Sequence, residues 1–284
     1  MRLFSFLAED GARIGAIRNG TPVDLSAADG DLPRCMKSLL EQGTQGLDRA
    51  AAALEKAPEI DGEIDYLPVV PRPGKIICVG LNYADHAKES GMAPPEEPVI
   101  FNKFPTAANA HRKPVVLPAI SDQVDYEAEL VVVIGRRAKN VPEADALKVV
   151  AGYTCGNDIS ARDWQRFKPG KQWLLGKTFD TFAPMGPHLV TADEIGDPGN
   201  LQVSLRLNGE TMQQSNTNQL IFSVPQLIAY ISQVAALEPG DVLFTGTPPG
   251  VGFARTPPVY LKPGDKTEVE IEKIGVLEND IVAA

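Results

Sequence analysis

Cysteine is scarce in this chain: Cys35, Cys78 and Cys155 are the only three in 284 residues. Their number and scatter exclude a disulfide framework and a thiolate zinc site, and leave each as a small buried residue in a reducing compartment. Positive charge is also short. Against 37 acidic residues stand 27 Lys and Arg, for a formal charge of −10. That balance argues against nonspecific nucleic-acid binding and gives no attraction to anionic membranes. No apolar run approaches the roughly 20 residues that cross a bilayer. The opening MRLFSFLAED is too short an apolar run for a secretory signal, so a cytoplasmic location is expected. Solenoid or propeller periods and low-complexity stretches are absent as well. With 43% hydrophobic and 23% charged residues, the chain has an ordinary globular composition. Its length allows one large domain or two smaller ones.

Local patterns predict a mainly β, α+β chain. In residues 1–25 three short strands alternate with Asp10-Gly11 and Asn19-Gly20, both hairpin signals. Residues 34–57, rich in Ala and Leu, predict a helix. The Pro- and Gly-rich PEIDGEIDYLPVVPRPG then breaks regular structure, which sets a boundary near residue 70 between a small N-terminal α+β domain (1–70) and a main domain (71–284). In the main domain KIICVG predicts a strand, followed by a short helical pattern, LNYADHAKES. Further strands are expected around 115–117, 124–135 and 149–155. Asn208-Gly209 marks a hairpin, VPQLIAYISQVAAL a helix with Pro225 in its first turn, and Pro-Gly-Asp at 239–241 and 263–265 introduces two more strands.

Three stretches could carry chemistry. In VDYEAELVVVIG, alternation places Asp125, Glu127, Glu129, Val131 and Val133 on one face and Tyr126, Ala128, Leu130, Val132 and Ile134 on the other. Glu127 and Glu129 would have Cα atoms roughly 6.5 Å apart, close enough to converge on one hard cation. A bare Glu-x-Glu is more often a solvated strand face. In GNDISARDWQ, Asp158 is either a helix cap or a third carboxylate at a strand end, with Arg162 and Gln165 on the same helix face. In GLNYADHAKESG, His86 and Glu89 at i, i+3 form either a general-base pair or an exposed helical charge pair. Lys177, after a glycine in an apolar run, is expected to face an anion if buried. FTGTPPGVGF lacks the GxxxxGK[ST] pattern of a phosphate loop, which excludes a nucleotide site but leaves Thr247 as a substrate contact. His111 and His188 have no partner in the sequence around them. The charged EVEIEK face is expected at a solvated strand edge.

Together VGLNYADHAKE, VDYEAEL, GNDISARDWQ, GKTFDTFAPMGP and FTGTPPGVG resemble the fumarylacetoacetate hydrolase family in order and spacing, across about residues 70–284. The resemblance implies a mixed β-sheet roll, a homodimer and a resident Mg²⁺ or Mn²⁺. It places the metal carboxylates at Glu127, Glu129 and Asp158, the catalytic pair at His86 and Glu89 with Lys177 beside it, and substrate contacts at Arg162, Gln165 and Thr247. Asp125 has no ligand role in this carry-over and would lie behind the ligands.

The same resemblance implies a small-molecule 2-oxo acid substrate. The first expectation is hydrolysis of the C–C bond of a 2,4-dioxo acid, an acylpyruvate or a diketo sugar acid, to pyruvate or another 2-oxo acid and a carboxylate. His86, oriented by Glu89, would activate water, and Lys177 would stabilise charge on the substrate oxygens. The alternatives are an oxaloacetate decarboxylase, an isomerase or hydratase of 2-oxo acids, and a non-catalytic metal- or ligand-binding protein.

Overall fold

A computed structural model describes residues 1–85 and 94–284. It opens with the expected meander: β1 (Arg2–Ala8), β2 (Gly11–Arg18) and β3 (Thr21–Asp24) pair antiparallel. Asn19 and Gly20 both have positive φ (51° and 86°), as a two-residue hairpin turn demands. A short α1 (Leu25–Ala28) follows, and the helix expected over 34–57 is in fact two, α2 (Met36–Glu41) and α3 (Thr44–Leu54). Gly43, at φ 59°, turns the chain between the last two.

β4 (Tyr66–Leu67) pairs with β1, and β5 (Ile76–Gly80) follows. Next come β6 (Val99–Lys103), β7 (Ala108–Ala110), β8 (Val115–Leu117), β9 (Val124–Asp125), β10 (Ala128–Ile134), β11 (Val150–Asn157) and β12 (Ser160–Ala161). Two short helices, α4 (Arg162–Phe167) and α5 (Leu174–Lys177), precede β13 (Ala183–Thr191) and α6 (Ala192–Ile195). The chain ends with β14 (Gln202–Leu207), β15 (Glu210–Asn216), α7 (Val224–Val234), β16 (Val242–Phe244), β17 (Lys266–Ile271) and β18 (Gly275–Ala283). Ser223 and Gln226 form a capping box at the start of α7, with Pro225 in its first turn.

Among the described residues the largest sheet runs β3-β2-β1-β13-β11-β10-β16-β5-β6, with β4 and β7 alongside, and a second runs β15-β14-β17-β18-β8. Both are mixed: β16–β5, β13–β7 and β18–β8 are parallel and the rest antiparallel. The N-terminal meander joins the main sheet directly, through Arg2↔Val190 and Leu3↔Leu189. The EVEIEK charges differ from expectation. β17 lies between β14 and β18, not at an edge, and Glu268 and Glu270 pair on its outer face with Arg206, at 3.3 and 2.7 Å.

β10 positions the site. Its alternation is as the sequence predicts, but both faces are covered. Ala128, Leu130, Val132 and Ile134 join the core shared with the second sheet and α7, while Val131 and Val133 join the core shared with α2 and α3. Each such aliphatic side chain contributes about 1.5–3 kcal/mol on burial, so the strand is anchored on both sides. Acidic residues at its N-terminal end are thereby held inside the protein.

Candidate active site

The acidic strand does not run unbroken. β9 pairs with β12 in a separate two-stranded ladder, and after Tyr126 and Glu127 the chain joins the main sheet as β10. Asn157 Oδ1 accepts from Glu127 N at 2.9 Å, and Asp158 N donates to Glu127 O at 2.9 Å. These two bonds lock the ends of β10 and β11 together and bring Glu127, Glu129 and Asp158 into one buried cluster. A carboxylate oxygen from each lies within 4.8 Å of the others. Asp158 follows β11 and precedes α4 by a short β12 bridge, so it reaches the cluster from a strand end and does not share a helix face with Arg162.

Cations compensate these acids. Lys177 Nζ donates to Glu127 Oε2 at 2.6 Å and to Asp158 Oδ2 at 2.9 Å. Arg162 donates to Glu127 Oε1 at 2.7 Å, to Asp125 Oδ2 at 2.8 Å and to Gln165 Oε1 at 2.9 Å. Burial alone would raise the Glu127 carboxyl, but Lys177 and Arg162 outweigh it and hold it down to about 2. Among the described residues no cation pairs with Glu129 so closely. Burial, then Asp158 and Glu127, push it well above the usual carboxylate range, although Gly246 N donates to its Oε2 at 2.7 Å.

Several contributors escape a reading along the sequence. Lys103, fully buried on β6, donates to the carbonyls of Ile159 (2.9 Å), Phe182 (2.7 Å) and Lys177, while its Nζ stands 2.6 Å from Asp158 Oδ1. That close buried contact makes Lys103 the partner of Asp158 Oδ1, as Lys177 is of Oδ2. Gln213 accepts from Ala128 N at 2.9 Å and donates to Thr247 Oγ1 at 2.8 Å, tying Thr247 to the acidic strand. The glycine-rich turn does use its backbone amides on anions, but on carboxylates: Gly252 N and Phe253 N donate to Asp125 at 2.7 and 3.1 Å. Lys103, in FNKFP, and Gln213, in TMQQSN, each stand next to another polar residue, and the sequence offers no signal for either.

A cavity of about 430 Å³ opens over the cluster, and Glu127, Glu129, Arg162, Gln165, Lys177 and Thr247 all line it. Its apolar wall comes from Phe101, Trp173 and Phe253, with the Phe101 and Trp173 rings 5.3 Å apart and edge-on. The structure therefore brings together seven of the nine residues singled out from the sequence, counting Asp158 beneath the floor. The other two, His86 and Glu89, lie outside the described residues.

The acids fit a divalent cation. All donors are oxygens, as Mg²⁺ and Mn²⁺ require. Four buried carboxylates, with Asp125, face three buried cations, Lys103, Arg162 and Lys177. A metal would offset the excess negative charge and stabilise the Glu129 carboxylate.

Residues 75–282 match the family model described as Fumarylacetoacetate (FAA) hydrolase C-terminal. A mitochondrial oxaloacetate tautomerase of Homo sapiens is 48% identical over 288 residues, covering 99% of this chain and 92% of the relative. A fumarylacetoacetate hydrolase from Exiguobacterium antarcticum superposes with a TM-score of 0.89 at 36% identity, over the whole of both chains. A maleylpyruvate hydrolase from Sphingobium sp. SYK-6, in complex with manganese(II) and pyruvate, does so with a TM-score of 0.84 at 31% identity, again over the whole of both chains.

Proposed function

The chain belongs to the fumarylacetoacetate hydrolase family, and from that premise we propose that it is a divalent-metal-dependent enzyme interconverting the enol and keto forms of oxaloacetate or a close 2-oxo dicarboxylate. One observation carries the choice: 48% identity over almost the full chain to relatives named oxaloacetate tautomerases, against 36% and 31% to the two solved hydrolases. C–C bond hydrolysis, the first expectation from sequence, becomes the second reading, supported by the maleylpyruvate hydrolase's bound pyruvate. Decarboxylation would share the same enolate.

Glu127, Glu129 and Asp158 would hold Mg²⁺ or Mn²⁺. When bound, the ion polarises the 2-oxo group and favours the enolate over the ketone. Lys177 spends two of its three N–H bonds on Glu127 and Asp158, which leaves one for the substrate oxygen that gains charge as the C3–H bond breaks. Arg162 is fixed by Asp125 and Glu127, and with Gln165 and Thr247 it would orient the carboxylate end of the substrate. His86, positioned by Glu89, is our candidate for the base that takes the C3 proton, and the enolate oxygen is protonated in return. Tautomerisation needs no attacking water, so an apolar wall of Phe101, Trp173 and Phe253 suits it by limiting competing hydrolysis.

A homodimer belongs to the same proposal. No helix among the described residues is long and apolar enough to cross a membrane. Three free cysteines, two of them buried, suit a reducing compartment, the cytoplasm or the mitochondrion of the named relatives alike.

The test follows the ultraviolet absorbance of enol-oxaloacetate after mixing with Mg²⁺-loaded protein, with pyruvate and CO₂ measured separately. Faster enol decay without either product supports the tautomerase. Pyruvate and a carboxylate released from acylpyruvates, with no effect on enol decay, would establish hydrolysis instead. A protein inert towards every 2-oxo acid would be a binding module.

A further inference from the structure

We infer that Arg166 is a specificity-determining residue that binds the far carboxylate of a dicarboxylic substrate; this rests on the 2-oxo acid reading of the cavity. Arg162, Gln165 and Arg166 occupy positions i, i+3 and i+4 of α4, one face of a helix, and all three line the same cavity. Their commitments differ. Arg162 is buried and its guanidinium is engaged by Asp125, Glu127 and Gln165. Arg166 is exposed at the cavity mouth, and among the described residues no carboxylate pairs with it. What holds it is aromatic: its Cζ lies 5.0 Å from the Phe253 ring centroid and 5.8 Å from that of Phe167.

Phe253 carries both guanidiniums, since Arg162 Cζ stands 4.4 Å from the same centroid. Like charges at i, i+4 repel, and sharing one ring keeps them near each other. An anion between them and above the ring would relieve that repulsion. The inner cations are already neutralised by protein carboxylates, so only Arg166 brings charge left over for a second anionic group. Both guanidinium carbons lie within 5.0 Å of the one Phe253 centroid, so the two ends of a four-carbon chain can reach both groups. A substrate whose 2-oxo carboxylate end sits at the acidic cluster would therefore place a C4 carboxylate at Arg166. A planar guanidinium held against a ring presents its fork to such a group in bidentate fashion.

The minimal ligand pair is pyruvate and oxaloacetate, which share the 2-oxo acid end and differ by the far carboxylate. Calorimetric titration of the Mg²⁺-loaded full chain is expected to show Arg166→Gln weakening oxaloacetate on the order of tenfold to a hundredfold while pyruvate is unchanged, with Arg166→Lys recovering part of the loss. In turnover the same variant should raise KM for oxaloacetate and leave kcat near wild type. Equal loss for both ligands would mean that Arg166 only shapes the wall, and no loss for either that it is a surface cation; both results overturn the inference, as would wild-type protein that binds pyruvate as tightly as oxaloacetate. Binding decides the matter even if wild-type protein fails to accelerate enol decay, in which case the tautomerase reading falls and the carboxylate site is judged alone.

Discussion

Lys177 and Glu127 form an ion pair at 2.6 Å with both side chains almost wholly buried. The two residues are 50 positions apart, on α5 and just before β10. The pair joins the short helix to the acidic strand, and because Lys177 also reaches Asp158, one ammonium spans two of the three proposed metal ligands.

Removing that ammonium leaves two carboxylates facing each other in a dry site. Lys177→Met should destabilise the protein by about 3–5 kcal/mol, the range for breaking a buried ion pair from one side. Urea denaturation without metal measures it. Added Mg²⁺ should return part of the loss, because the ion supplies the missing positive charge, but turnover should stay absent. A midpoint within experimental error of wild type would show that Arg162 and Lys103 suffice to compensate Glu127 and Asp158.

Glu129 makes the opposite prediction. Its carboxyl is pushed up by burial and by Asp158 and Glu127, so without metal the neutral form is favoured. Glu129→Gln keeps the shape and removes the charge. The metal-free variant should melt no lower than wild type. Yet the stabilisation that metal gives wild-type protein, about 2.7 kcal/mol at one hundred times Kd, should vanish. Thermal denaturation with and without Mg²⁺ or Mn²⁺ separates the two effects. A variant that gains as much from metal as wild type would remove Glu129 from the ligand set.

How far the sequence revealed these relationships depends on how far apart the partners lie. The alternation of Glu127 and Glu129 with Leu130 and Val132 is local, so period-two reasoning recovers it, as it does the Asn19-Gly20 and Asn208-Gly209 turns. The cover over the Val131 and Val133 face comes from helices some ninety residues earlier, and no pattern within the strand shows it. Lys103 meets Ile159 across 56 positions, and Gln213 meets Ala128 across 85. Both side chains are ordinary surface types, and only the fold brings them inside. Asp158 was legible as a carboxylate at a strand end, but the assumption that the following helix begins there put it on Arg162's face. β12 intervenes and redirects it.

Close packing between α4 and α5 offers a test away from any charge. A Cβ at Gly176 would stand 2.5 Å from Gln165 N and 2.8 Å from its Cα. Backbone atoms cannot rotate aside, so the helices must separate. Gly176→Ala should lose about 1–3 kcal/mol of stability. Since Arg162 and Gln165 ride on one helix and Lys177 on the other, KM for the 2-oxo acid should rise too. Gly30→Ala, where an added Cβ meets nothing within 4 Å, is the control. Stability loss with unchanged KM would show that the helices shift without moving the site.

Acid should act first at two histidines remote from the cavity. His111 packs edge-on against Tyr66 at 4.9 Å, and its Nδ1 accepts from Glu278 N at 3.1 Å. His188 lies 6.0 Å from the Phe4 ring. Both therefore sit where β1 and β4 meet the rest of the protein. Burial lowers each to about 4, with Arg112 adding to the effect at His111 and Arg2 at His188. An unfolded histidine titrates near 6.5, so between those values the unfolded chain binds more protons than the folded one, and stability rises with pH. Their contribution is complete above about pH 6.5 and drains away as the pH falls towards 4. The loss is on the order of 3 kcal/mol for each group. Asp10, held at about 2 by its hydrogen bond from Arg13, titrates below that window and cannot imitate it. Urea midpoints from pH 7 to pH 4 should fall steeply in wild-type protein, and less so in His111→Gln and His188→Leu, with the double variant flattest. Equal slopes in all four proteins would place the acid-sensitive groups elsewhere.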